Sequence, residues 1–123
     1  MKLSIEQIVE IDGRYSRRGV CFVHKGLGET VRKIHNDSEG KPSHVTGQQL
    51  CGGLAECAAD KWGRMAKVVL NSFGIETTRD FGEIVYLLIE HGWMYAQPQD
   101  SIDDFNDVYS FEKVLEKEFL FRN

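Results

Sequence analysis

Three cysteines and four histidines are the side chains of this sequence best suited to chemistry, and their spacing decides which chemistry is open to them. Cys21, Cys51 and Cys57 are odd in number and widely separated, which argues against a disulfide framework. In a reducing compartment they stay thiols, and a free thiol behaves mostly as a small buried hydrophobe. A zinc site drawing on His44, Cys51, Cys57 and His91 would need ligand pairs spaced by two to four residues. Cys51 and Cys57 instead differ by about 600° of helical rotation, so they occupy different faces of a helix. No metal and no cofactor are expected.

Nucleophilic catalysis needs a thiol or hydroxyl beside an imidazole and an orienting carboxylate. Cys21 and His24, three residues apart, are neighbours on one face if their segment is helical. Cys51 falls one turn inside a helix opened by Thr46, where the helix N-terminus would lower its pKa. Both lack a third member, and a small enzyme built on Cys51 or His44 is the weaker reading. Asp80-Phe81-Gly82 spells the metal-binding triplet of protein kinases, but the chain cannot hold the remaining kinase elements, and Asp80 reads as a helix cap. Gly26-Leu27-Gly28 is a fragment of a dinucleotide fingerprint without its third glycine or preceding strand. Asp100, Asp103, Asp104 and Asp107 miss the glycine and glutamate that a calcium loop requires, so they read as a solvated acidic loop. No catalytic residue is expected.

The elements that must position these residues follow from periodicity. With 123 residues, the chain suits one domain spanning 1–123. A hydrophobic content of 41 % excludes a disordered chain. The longest apolar run, Ile84 to Ile89, is far too short to span a bilayer. Glu6 interrupts the first residues before an apolar stretch can build, which predicts no signal peptide and a cytoplasmic protein. Ser4-Ile-Glu-Gln7 is a capping box, and Gly13 can end the helix it opens. Val20, Val23, Leu27, Val31 and Ile34 form a second helical stripe, which Gly19, Gly26 and Gly28 weaken. A strand over 20–23 followed by a shorter helix is the alternative there. Asn36 to Ser43 reads as a polar loop.

Thr46-Gly-Gln-Gln49 caps a helix with the stripe Leu50, Leu54, Cys57 and Ala58, running to about Trp62. Met65, Val68, Val69 and Phe73 predict a short helix closed by Gly74. The helix after Asp80 is apolar on most of its circumference and should be the most buried. Trp93 to Gln97 and Val108 to Phe111 are aromatic and β-branched runs that predict a small antiparallel hairpin around Pro98 to Asp107. Ser110 caps a last amphipathic helix carrying Val114, Leu115 and Phe119. The expected fold is mainly α, a compact bundle of five or six helices with a C-terminal β-hairpin, and its chain order is winged-helix-like.

The segments His44-Val-Thr-Gly-Gln-Gln-Leu50, Val69-Leu-Asn-Ser-Phe-Gly-Ile75, Asp80-Phe-Gly-Glu-Ile-Val85 and Asp104-Phe to Glu112 together resemble a family of short, uncharacterised conserved bacterial proteins. The likeness runs from about His44 to Glu112 and more loosely over the N-terminal helices. It departs at Gly19, Gly26 and Gly28, where better helix formers are expected. It implies a shape class and no catalytic residues.

Charge is polarised within a net of −4. Arg14, Arg17, Arg18, Lys25, Arg32 and Lys33 face only Glu29 in residues 14–33, a balance of +5. Asp100, Asp103, Asp104, Asp107, Glu112, Glu116 and Glu118 face only Lys113 and Lys117 in residues 100–118, a balance of −5. Such blocks either pair with each other, within the chain or across a homo-oligomer, or attract an oppositely charged partner. A winged helix would read DNA with Asp80 to His91, yet that segment offers Glu83 and Glu90 to the groove and no arginine or lysine. The sequence therefore points to a non-catalytic interaction or accessory protein, with Trp93, Tyr95, Phe105 and Tyr109 as aromatic anchors. The alternative is a nucleic-acid binder using Arg14, Arg17, Arg18, Arg32 and Lys33. No membrane partner is expected.

Overall fold

The capping boxes legible at Ser4 and Thr46 are both formed. In the computed structural model, which describes residues 2–37 and 45–117, Ser4 caps α1 (Ile5–Asp12), and Gly13 ends it in the left-handed conformation at φ 78°. Thr46 caps α3 (Gly47–Trp62), its hydroxyl accepting from the Gln49 N–H while the Gln49 side chain accepts from the Thr46 N–H. Between them α2 (Arg17–Asp37) is one continuous helix, which settles the helix-or-strand alternative. Two of its three glycines are close-packing positions. A Cβ on Gly19 would lie 2.8 Å from Phe73 Cβ, and one on Gly26 would lie 2.7 Å from a Leu54 methyl. The helix propensity these residues forfeit, about 1 kcal/mol each, is offset by the burial of Val20, Val23 and Leu27 that close approach allows.

A 3-10 turn (Gly63–Met65) leads into α4 (Ala66–Ser72), which buries Ala66 and Leu70. The expected stripe is displaced here: Met65 and Val68 are 55 % and 53 % exposed, and of its members only Phe73 is buried. The 3-10 turn shifts the helical phase, so the face read at a uniform 100° per residue points the wrong way. The last α-helix, α5 (Thr78–Glu90), is capped by Thr77 rather than Asp80. Asp80 stands one turn inside it, where its Oδ2 accepts the N–H groups of Glu76 and Thr77 at 2.8 and 3.1 Å. Burial of Phe81, Ile84, Val85, Leu87 and Leu88 makes α5 the central helix, as its composition demands.

The C-terminal hairpin is not formed, since the described residues contain no β-strand. The polar groups of both runs are engaged elsewhere. Gly92 (φ 81°) and Trp93 close α5 by donating their N–H groups to Ile89 and Leu88 carbonyls, at 3.1 and 2.8 Å. This is a Schellman closure, and it removes Trp93 from strand pairing. Trp93 also donates its indole N–H to the Leu3 carbonyl at 2.8 Å. Farther on, the Val108 N–H donates to the Thr78 hydroxyl, and Tyr109 donates its own hydroxyl to the Cys51 carbonyl. A 3-10 helix (Ile102–Phe105) capped by Ser101 occupies the predicted tip, and a π-helical turn (Glu112–Lys117) replaces the last amphipathic helix. The expected Phe119 and most of the polar loop before Thr46 lie outside the described residues. Without a hairpin there is no wing, and the recognition helix of the winged-helix expectation is the buried centre of the bundle.

The glycine contacts make a signed prediction. A Cβ at Gly53 on α3 would collide with the Thr30 side chain, whose Cβ lies 2.7 Å away, whereas Gly28 on the same α2 as Thr30 has nothing within 4 Å. Gly53→Ala should therefore lower the free energy of unfolding by about 1–3 kcal/mol through overpacking. Gly28→Ala should raise it by about 0.5–1 kcal/mol. Urea unfolding monitored by circular dichroism checks both signs.

Candidate functional site

Two of the three thiols, Cys51 and Cys57, sit where burial favours the protonated form. Cys51 is fully buried, and burial pushes its thiol up to about 12, against the lowering expected from its place near a helix start. Desolvation outweighs the helix field because Cys51 projects into the core, where the charged thiolate has no compensating cation. Cys57 is raised to about 11, first by burial and then by Glu29, whose carboxylate its Sγ approaches at 3.5 Å. Cys21 and His24 both lie on α2, but His24 packs edge-on against the Trp93 ring at 5.5 Å. His91 is the C-cap of α5, and His44 lies outside the described residues. Among the described residues no three of the His, Cys, Asp and Glu side chains converge as a metal site.

The two charge blocks do not meet among the described residues. Arg14 clasps Asp12 at 2.8 Å and Glu83 at 3.1 Å, pairs that hold its guanidinium still more firmly protonated. Arg17 bonds Glu6 at 2.7 Å, and Lys33 reaches Glu56 at 3.3 Å. Arg18 sits over the Phe73 ring, while Arg32 is exposed on α2. From the acidic block, Asp103 pairs with Arg79 at 3.0 Å, and Arg79 also binds Glu83. Half of the basic block (Arg14, Arg17 and Lys33) thus sits on carboxylates that composition counting left out, and Glu83 is the hub shared by Arg14 and Arg79. Exposed pairs of this kind are worth about 0–1 kcal/mol each, so they set local charge more than stability.

Of the four aromatic anchors expected, three are structural. Phe105 is buried against Gly82, Tyr109 is tied to Cys51, and Trp93 is sandwiched between His24 and Lys2. Tyr95 alone projects outward, at 94 % exposure.

Tyr95 borders a groove of about 240 Å³ where α2, α3, α5 and the segment after α5 meet. Val31, Leu50, Val85, Ile89 and Met94 form its apolar wall, and Tyr86, Asp100 and Asp104 supply polar groups. Asp100 and Asp104 are positioned by their own loop: Asp100 accepts the Gln97 N–H at 2.8 Å, and Asp104 accepts the Ser101 N–H at 3.2 Å. Tyr86 is raised above its ordinary pKa by burial and, secondarily, by the charges of these two carboxylates. Tyr86 escaped the sequence reading, although it left a signal as the single polar group inside the run Ile84 to Ile89. A second, wider depression of about 450 Å³ separates α2 from α3 and is lined by Glu29, Lys33, Glu56, Cys57 and Asp60. The Lys33–Glu56 pair and the Cys57–Glu29 contact link its two helices.

No family model, curated protein or solved structure matches this chain.

Two predictions follow from the perturbed groups. In native protein at neutral pH, iodoacetamide should leave Cys51 unlabelled until denaturant is added, and Cys57 labelling should keep rising as pH climbs past about 9. Peptide mapping by mass spectrometry reads both. Tyr109 is held neutral chiefly by burial, and Tyr15 by burial and by its hydroxyl bond to Asp80 at 2.6 Å. Their folded pKa values exceed the unfolded one, so the stability they contribute is complete below about pH 10 and is lost above it, where the unfolded chain sheds protons first. Unfolding free energy should fall steeply at alkaline pH, and Tyr109→Phe should flatten that fall while lowering stability at neutrality.

Proposed function

We propose that this chain is a non-catalytic module of the cytoplasm that binds another protein, and that the groove beside Tyr95 is the face it presents. The carrying observation is the pairing of an apolar concavity with an aromatic ring almost wholly in water at its edge. Tyrosine is among the residues that dominate interface hot spots, and hot-spot side chains seat in pockets of this kind. A partner is thereby offered both an anchor and a socket. The non-catalytic part of the reading is supported by the thiols, which burial holds protonated, and by imidazoles engaged in packing or helix capping. The resemblance to short bacterial proteins adds no activity to this reading.

Binding of nucleic acid through residues 14–33 has less support. Arg14, Arg17 and Lys33 already sit on carboxylates, so that face carries far less positive potential than its composition suggests.

A photo-crosslinking amino acid placed at Tyr95 in the native host, with Val68, an exposed residue outside the groove lining, as the control, tests the proposal. One dominant protein adduct from position 95, absent from position 68, is the expected result. Adducts no stronger at 95 than at 68 would overturn it.

A further inference from the structure

The groove is polar at one end and apolar along its walls, and few side chains match both. We infer that it receives a lysine side chain from the partner protein, with the methylene stem along Leu50, Val85 and Ile89 and the ammonium group on Asp104 beside the Tyr86 hydroxyl. This rests on the binding face proposed above and specifies the chemistry of what enters it.

Volume argues first for a side chain. At about 240 Å³ the groove falls below the roughly 300–1,000 Å³ of ordinary small-molecule pockets. It is the right scale for an anchor residue inserted from a protein surface. Charge then selects the anchor. Asp100 and Asp104 both line the groove, against His35 as the single lining side chain able to carry positive charge. A purely apolar anchor would bury the Asp104 carboxylate against hydrocarbon, and an acidic anchor would be repelled. Lysine alone combines a four-carbon apolar stem with a compact charged tip, the geometry by which such side chains cover apolar surface while keeping the charge at a polar edge. The upward displacement of Tyr86, partly caused by Asp100 and Asp104, places the field of both acids at this end of the groove. The Ser101 N–H, 3.2 Å from Asp104 Oδ2, pins the Asp104 carboxylate in place, so a cation meets a preset acceptor.

The test titrates isotopically labelled protein with the peptide acetyl-Gly-Leu-Lys-Leu-Gly-amide and with the same peptide acetylated on the lysine Nζ. Acetylation removes the charge and keeps the stem. Amide shifts centred on Leu50, Tyr86 and Ile89 are expected, with binding about tenfold weaker after acetylation, the scale of one charge-assisted hydrogen bond. Asp104→Asn keeps an oxygen for the Ser101 N–H and should erase the difference between the two peptides. Should that variant fail to fold, Tyr86→Phe replaces it, with an expected loss of about threefold for the charged peptide. Equal binding of both peptides in the groove would overturn the lysine assignment and leave the groove reading standing. Shifts confined to other surfaces, or no shifts at all, would overturn the assignment as well, and crosslinking at position 95 then decides separately whether the groove is a binding face.

Discussion

A helix leaves polar groups at both ends without partners inside it, and the side chains and turns that satisfy them fix what packs there. Much of the remaining chain is arranged around the two ends of α5. At the start, Asp80 accepts two backbone N–H groups and the Tyr15 hydroxyl, while Thr78 donates to the Phe105 carbonyl and accepts from Val108. At the finish, Gly92 and Trp93 cover the last carbonyls. Each of these bonds also recruits a segment distant in sequence. Tyr15 brings the α1–α2 junction to the start of α5, and Thr78 holds the 3-10 helix over Gly82, where a Cβ would lie 2.7 Å from Phe105. The groove exists because that 3-10 helix is held there.

Similar cross-element contacts explain why the basic block looks more polarised on paper than in space. Arg14, from the α1–α2 junction, and Arg79, one turn earlier on α5 itself, converge on Glu83 because Tyr15 draws that junction to the start of α5. Glu6 and Glu56 neutralise Arg17 and Lys33 across the α1–α2 and α2–α3 contacts. Beside these pairs lies an apolar depression with carboxylates at one end, a smaller and more specific feature than either charge block.

Local signals were legible where they are strictly local. Capping boxes at Ser4 and Thr46, the glycine stop at Gly13 and the burial of the Phe81 to Ile89 helix are all written in adjacent residues, and each is found where spacing placed it. The failures have one physical origin. Trp93 to Gln97 and Val108 to Phe111 have strand-like composition, but their hydrogen bonds go to helix ends and side chains far away in sequence, which no window of neighbouring residues discloses. Gly19 and Gly26 of α2 looked like weak helix positions because their value lies in Phe73 and Leu54, dozens of residues farther on. Tyr86 and Asp104 were invisible as a site because they meet only after the loop folds back over α5. The groove was not readable; the scaffold under it was.

The indole bond from Trp93 to the Leu3 carbonyl joins positions 90 residues apart. Lys2, over the same ring at 4.0 Å, and His24 on the opposite helix enclose it further. Detachment of Lys2 and Leu3, just ahead of α1, therefore strips the tryptophan of its hydrogen bond and of the ammonium over its ring at a stroke. The two edges of the molecule behave as a single cooperative opening unit. Met94 and Tyr95 follow directly on that tryptophan, so the geometry of the groove they line inherits the order of residues at the far end of the sequence.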